Sequence, residues 1–324
     1  MPAPSWAQRV LVLGASGSIG QATVQALAQQ GHRVTALYRH SSAPQAQPQG
    51  AQALCHDLSN PQAWREVFSE QRFDAVISCM ASRTGNPEDA WRVDHDLHVQ
   101  ALQAAQDGGV QHFVLLSALC VQKPRLAFQH AKLAFEQQLR TSGLKHAIVR
   151  PTAYFKSLSG QAQRVSRGPP FLLFGDGQLT ACKPISDRDL GRYLATCLTE
   201  GDRLNRVLPI GGPGPVITPR EQGLALFDLM QRPPHFKRVP VAMMDAVVAG
   251  LRGASRIWPR LKPKAELAQI GRYYATESML VWDPVRQRYD ADATPSFGEE
   301  TLFKAYAQWL KDGEWPQRRE HAVF

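Results

Sequence analysis

The chain has 324 residues, 44% of them hydrophobic and 20% charged, a balance that suits a globular protein with a large core and excludes a disordered or fibrous one. Basic residues outnumber acidic ones by 37 to 28, +9 net, which favours anionic partners such as cofactor phosphates, a carboxylated substrate or a membrane surface; nucleic acid is not expected, because the Lys and Arg residues are dispersed and no nucleic-acid-binding motif accompanies them. The five cysteines, Cys55, Cys79, Cys120, Cys182 and Cys197, are odd in number and widely spaced, which argues against a disulfide framework, a zinc site or an iron–sulfur centre and predicts reduced thiols in a cytosolic setting.

In chain order, the first strand, RVLVLG, is reached within a few residues and without an apolar leader, so secretion and import are not expected. A helix over residues 18–30 follows, then the strand RVTALYR, a Pro/Gln-rich loop over 44–50, and the strand AQALCHD. Next come a helix opening at Asn60-Pro61, DAVISCM, a helix over 90–106, HFVLLSA, a helix over about 127–140, and HAIVRP. Continuous apolar strands separated by helix-length segments predict an α/β fold with a parallel sheet covered on both faces, and right-handed crossovers make it doubly wound. This Rossmann-type domain is expected over residues 1–155, with a smaller, mostly helical substrate-binding part over 156–324. In that second stretch a helix is predicted over 187–199, and a strand near 206–211 that returns to the sheet. Thr218-Pro219-Arg220-Glu221 combines an N-cap, a proline at the first helical position and a reciprocal glutamate, starting a helix to Met230. Three more helices are expected over 241–255, 264–278 and 299–310. No run approaches the roughly 18 apolar residues of a membrane span; residues 239–251, interrupted by Asp245, are a candidate for peripheral membrane contact instead.

Between the first strand and the first helix lies Gly14-Ala15-Ser16-Gly17-Ser18-Ile19-Gly20. In that position the glycines give a tight turn, close approach to a pyrophosphate and contact of helix with sheet. The spacing resembles the short-chain dehydrogenase/reductase superfamily, in its extended and atypical branches. An NAD-preferring site would end the second strand with a carboxylate for the ribose hydroxyls; here Arg39 stands there, with Ser41 nearby, and a guanidinium grips a ribose phosphate. The expected cofactor is therefore NADPH. Asp57 and Leu58, after the third strand, match where that superfamily contacts adenine, although Asp57 reads equally as a loop cap. Ser117, at the end of the fifth strand, and Pro151 and Thr152, after the sixth, are expected on the nicotinamide side by the same analogy.

The superfamily's usual acid is a tyrosine four residues before a lysine. The matching stretch is Phe128-Gln129-His130-Ala131-Lys132, which keeps Lys132 for the nicotinamide ribose and lacks the phenol. Without a proton donor at a developing alkoxide, carbonyl reduction is disfavoured and reduction of a polarised carbon–carbon double bond is the better expectation. The blocks HFVLLSALCVQKPRLAFQHAKLAFE, IVRPTAYFKSLSGQ, FGDGQLTACKPIS, LPIGGPG followed by TPREQG, and IGRYYATESMLVWDP resemble the divinyl chlorophyllide 8-vinyl reductases of chlorophyll and bacteriochlorophyll synthesis. The resemblance runs from the glycine loop nearly to Pro295 and departs at the histidine-rich residues 94–98 and in the C-terminal tail.

The resemblance implies NADPH-dependent reduction of the 8-vinyl group of divinyl chlorophyllide a, or of its protochlorophyllide precursor, to ethyl. Candidates for the proton are Tyr154, Lys156 and ordered water. Tyr154, Phe155, Phe171, Phe174, Tyr273, Tyr274 and Trp282, with Phe128, are candidate walls for a flat apolar pigment, and Lys156, Lys183 or Arg272 for its carboxylate. A smaller phenylpropanoid-like substrate and a non-catalytic NADP-binding sensor or assembly factor remain as alternatives. No metal site is expected: Asp94 and His98 are spaced like ligands but read as part of a surface helix without further ligands. Asp187 and Asp189 read as helix N-terminal caps.

Overall fold

The computed structural model describes residues 7–39 and 49–316. In chain order it contains β1 (Arg9–Leu13), α1 (Ser18–Gln29), β2 (Arg33–Tyr38), β3 (Ala51–Cys55), α2 (Pro61–Glu70), β4 (Ala75–Ser78) and α3 (Pro87–Trp91). One π-helical turn, Arg92–Asp96, joins α3 to α4 (Leu97–Asp107), followed by β5 (His112–Leu116), α5 (Ala127–Thr141), β6 (Lys145–Pro151) and α6 (Phe155–Ser166). The rest comprises β7 (Phe171–Phe174), α7 (Asp187–Thr196), β8 (Arg206–Ile210), α8 (Pro219–Leu229), β9 (Phe236–Val239), α9 (Val241–Ile257), α10 (Lys262–Thr276), β10 (Val281–Asp283), β11 (Arg288–Asp290) and α11 (Leu302–Asp312).

Seven strands form one parallel sheet in the order β3-β2-β1-β4-β5-β6-β8. The chain starts in the middle, winds outward to one edge and then to the other, so the doubly wound sheet is as the apolar runs predict. The central strands are buried on both faces, which is why they are rich in Val, Leu and Ile without alternation. One face packs Val10, Val12, Leu27, Val114 and Leu194 into a core closed by α1 and α7. The other packs Leu11, Leu13, Trp64, Phe113, Phe135 and Ile148 beneath α2, α4 and α5. β8, from the second half of the chain, pairs with β6, Ile148 opposite Val207.

A third core, with Phe155, Val165, Phe171, Leu226, Tyr273 and Tyr306, lies in the second half of the chain. It carries two small sheets, β7 with β9 in parallel and β10 with β11 antiparallel, alongside the helices expected there. α8 begins with the capping box read in the sequence: Thr218 Oγ1 accepts from the Glu221 amide, and Glu221 returns a carboxylate oxygen to the Thr218 amide, 2.7 Å. α6 was not expected. Its inward spacing of Phe155, Ser159, Ala162 and Val165 is helical, but its N-cap residue, Tyr154, makes no side-chain capping bond and so gives no start signal.

At α7 the cap is Ser186, whose hydroxyl accepts from the Asp189 amide at 3.0 Å; Asp187 and Asp189 occupy the first turn instead of capping it. The fully buried Asp189 pairs with Arg192 at 2.5 Å and accepts the backbone amides of Glu299 and Glu300 at 3.0 and 2.9 Å. Gly298 permits this approach, because a Cβ there would lie 2.2 Å from the Asp189 carboxylate.

Candidate functional site

The loop after β1 is shaped by two glycines. Gly14 sits at φ +74° against the Cys79–Met80 backbone, and a Cβ on Gly20 would lie 2.2 Å from the Gly14 carbonyl. At Gly17 the same construction meets nothing nearer than 3.4 Å, so this side of the loop stays open. The first turn of α1 has no acidic residue, which leaves its orphan amides and dipole for an anion. Residues 14–20 therefore fit a dinucleotide pyrophosphate. Ser16 and Ser18 belong to this loop and first turn, and Ser18 lies beside the Asp187 carboxyl, which burial pushes above its usual range.

Arg39 follows β2 directly. Leu37 is in register with Leu13, so Arg39 stands, exposed, at the same end of the sheet as the glycine loop. Ser41 is outside the described residues. Asp57 acts as the loop cap, accepting from the Ser59 amide and hydroxyl at 3.1 and 2.7 Å, and Leu58 is buried in the core beneath the sheet.

Beyond this loop a cavity of about 440 Å³ opens between the sheet edge and the third core. Ile19, Ser117, Lys132, Pro151 and Thr152 line its sheet side; Phe128, Tyr154, Phe171, Phe174 and Tyr274 are its aromatic walls. Phe128 and Lys132, one turn apart on α5, both face it, as their spacing predicts. Ser117 donates to Glu136 at 2.5 Å, and Glu136 in turn receives Arg150. Thr152 donates its hydroxyl to the Lys183 carbonyl. Tyr154 turns into the cavity with no hydrogen bond of its hydroxyl among the described residues, and burial pushes its phenol far above the usual range.

Several expected substrate contacts lie elsewhere. Lys183 donates its ammonium to the Thr294 carbonyl at 2.8 Å, and Arg272 pairs with Asp245 at 2.7 Å. Phe155 is buried in the third core. Tyr273 spends its hydroxyl on the Cys120 and Lys123 carbonyls at 2.9 and 3.1 Å, while its neighbour Tyr274 faces the cavity. Trp282 stacks beneath Lys123, 4.1 Å from the ring centre. Lys156 is outside the lining and faces Asp187. A charge can be read from sequence; its direction cannot.

On the segment taken for a surface helix, Asp94 and His98 are buried while Trp91, Arg92 and Asp96 stay exposed. Asp94, on the π turn, meets Lys132 at 2.9 Å and accepts the Ser82 hydroxyl at 2.6 Å. His98 is held between Ser78 and the Val93 carbonyl, each at 2.8 Å, and burial with the nearby Lys132 pushes its imidazole down to about 4, so it is neutral. Among the described residues no cluster of metal-ligating side chains occurs. The missed signal is a stripe: Ala90, Asp94, His98, Ala101 and Ala105 are all buried, and the small apolar members of that row point the polar ones inward.

Fold and site define an NAD(P)H-binding reductase-type protein of the Rossmann class, and an NAD(P)H-binding family matches residues 14–201. An epimerase from Methanothermobacter thermautotrophicus shares the fold with TM-score 0.69 at 17% identity, over 95% of this chain and 93% of that one. An isoflavone reductase does so with 0.65 at 18%, over 94% and 99%. Divinyl chlorophyllide a 8-vinyl-reductase of Zea mays is 44% identical over 96% of this chain and 81% of its own length; the proteins of that name from Cucumis sativus, Arabidopsis thaliana and Oryza sativa subsp. indica are 42–44% identical. The chain belongs to the divinyl chlorophyllide a 8-vinyl-reductase family. These relatives are named chloroplastic, which overturns the cytosolic expectation and points to the chloroplast: unpaired thiols fit any reducing compartment and do not single out the cytosol.

Proposed function

We propose that this protein reduces the 8-vinyl group of divinyl chlorophyllide a to ethyl with NADPH. The observation that carries the reading is 44% identity to a reductase of that name along 96% of the chain, together with a large, mostly apolar cavity that opens beside the nucleotide loop. Neither alternative is favoured: likeness to the isoflavone reductase is of fold alone, and a sensor has no use for such a cavity.

The chemistry suits these walls. Bound NADPH supplies a hydride to one vinyl carbon, and the charge left behind spreads into the conjugated macrocycle, so no oxyanion hole is needed; the other carbon takes a proton. In this reading Lys132 holds the nicotinamide ribose and Pro151 and Thr152 support the nicotinamide, which their position in the cavity lining supports. Phe128, where carbonyl reducers carry tyrosine, packs against the pigment. Tyr154 is the better donor than Lys156, because its hydroxyl reaches the cavity and burial keeps it protonated. Arg39 selects the phosphorylated cofactor. In this reading residues 1–155 carry the cofactor and 156–324 the pigment, with α7 and β8 completing the cofactor side.

A finer reading concerns the setting of the pigment. No helix of the described residues is long and apolar enough to cross a membrane, but none of α9 is buried. Its exposed Met243, Val247 and Ile257, with Trp258 just after it, share this stretch of chain with the exposed Arg252, Arg256, Arg260, Lys262 and Lys264. Apolar side chains beside cations fit an anionic bilayer surface.

The test is turnover of the purified protein with divinyl chlorophyllide and divinyl protochlorophyllide, with NADPH or NADH, resolving vinyl from ethyl products. NADPH-dependent ethyl product is expected; cofactor binding without product from either pigment would refute the reading.

A further inference from the structure

The ammonium of Lys132 is almost enclosed, its side chain 10% exposed, and the carboxylate of Asp94 it meets is fully buried. An unpaired ammonium in so apolar a place would be unfavourable, and Phe128, one turn away, has no hydroxyl to hold it. Asp94 is itself fixed. One oxygen takes the Ser82 hydroxyl at 2.6 Å, and the other takes the Ser82 amide at 3.3 Å as well as Lys132. The backbone that presents it is the π turn Arg92–Asp96, a local departure from the α-helix that tends to occur at functional sites. That turn is pinned by His98, which reaches back to the Val93 carbonyl and across to Ser78. Asp94, Ser82 and Lys132 all line the cavity.

We infer that Asp94 is a positioning residue: with Ser82 it holds the Lys132 ammonium at the cavity wall, so that the remaining two donors of Lys132 are aimed at the ribose of the bound cofactor. An ammonium has three donors on a flexible stem; a fixed carboxylate on one of them sets the direction of the others. The effect on turnover rests on the proposed reductase activity, whereas the effect on cofactor binding does not.

The experiment is a double-mutant cycle in the full chain with Asp94→Asn and Lys132→Met, reading the NADPH dissociation constant by nucleotide fluorescence and kcat and KM for divinyl chlorophyllide. Each single variant is expected to weaken NADPH about tenfold, the scale of a hydrogen bond to a charged group, and to lower kcat while pigment KM stays within about twofold. The double variant should bind NADPH no more weakly than Lys132→Met alone, since residues acting as one unit are not additive. Losses that multiply in the double variant, or wild-type NADPH affinity in Asp94→Asn, overturn the inference. Should Asp94→Asn not fold, Ser82→Ala replaces it in the same cycle, with a smaller loss expected alone and none added to Lys132→Met. If the unaltered protein reduces no pigment, the functional reading fails, and the cycle on NADPH affinity still decides the role of Asp94.

Discussion

A vinyl carbon that does not receive the hydride must receive a proton, and the Tyr154 hydroxyl faces the cavity without a partner among the described residues. Because burial raises its phenol, the proton is present at any working pH. Tyr154→Phe should therefore lower turnover about 100-fold or more, the scale of a general acid, and leave the NADPH dissociation constant unchanged. Full turnover with chemistry rate-limiting would make Tyr154 a wall and pass the role to water. At this scale sequence is informative where function depends on local spacing. The glycine loop and the Phe128–Lys132 turn are legible because residues a few positions apart meet in one loop or on one helix face. The role of Asp94 is harder to read because its partners, Ser82 and Lys132, come from other elements, and its i, i+4 step to His98 suits a pair of surface ligands as well as the buried stripe it belongs to.

Helix α7 packs against α1 so closely that a Cβ on Gly191 would lie 2.6 Å from the Ala22 carbonyl carbon and 2.8 Å from the Thr23 nitrogen. Both are backbone atoms and cannot swing aside. Gly191→Ala should thus destabilise the fold by about 1–3 kcal/mol through overpacking, despite the better helix propensity of alanine, and, if the first turn of α1 holds the cofactor phosphates as proposed, should weaken NADPH binding by tilting that helix. Urea unfolding and a nucleotide titration read the two effects; a variant as stable as the parent would show that the contact is slack. The parallel strands, the capped α8 and the return of a strand near 206–211 are visible in the sequence because apolar runs and caps are local. The β7–β9 pairing joins segments more than sixty residues apart by four positions each, and no local pattern announces such a partner.

For the molecule as a whole, the surplus of nine positive charges is spread over the chain, and the part that bears on a membrane is the exposed set Arg252, Arg256, Arg260, Lys262 and Lys264 in and just after α9. The acidic residue of α9, Asp245, is paired with Arg272, so its charge is offset and the basic side chains that follow carry the local excess. The protein should sediment with phosphatidylcholine vesicles that contain phosphatidylglycerol, less with phosphatidylcholine alone, and lose the difference in high salt. The double change Ile257→Asp and Trp258→Asp, at residues 72% and 60% exposed, should abolish binding without touching turnover of detergent-dispersed pigment. Indifference to lipid charge, or retention in the double variant, would remove the membrane from the account. A different kind of unity comes from Asp189. Its carboxylate takes two amides from the segment entering α11, and its helix lies against the helix that bears the nucleotide loop. The last stretch of chain therefore buttresses the first, and the pocket for one reactant borrows rigidity from the scaffold of the other.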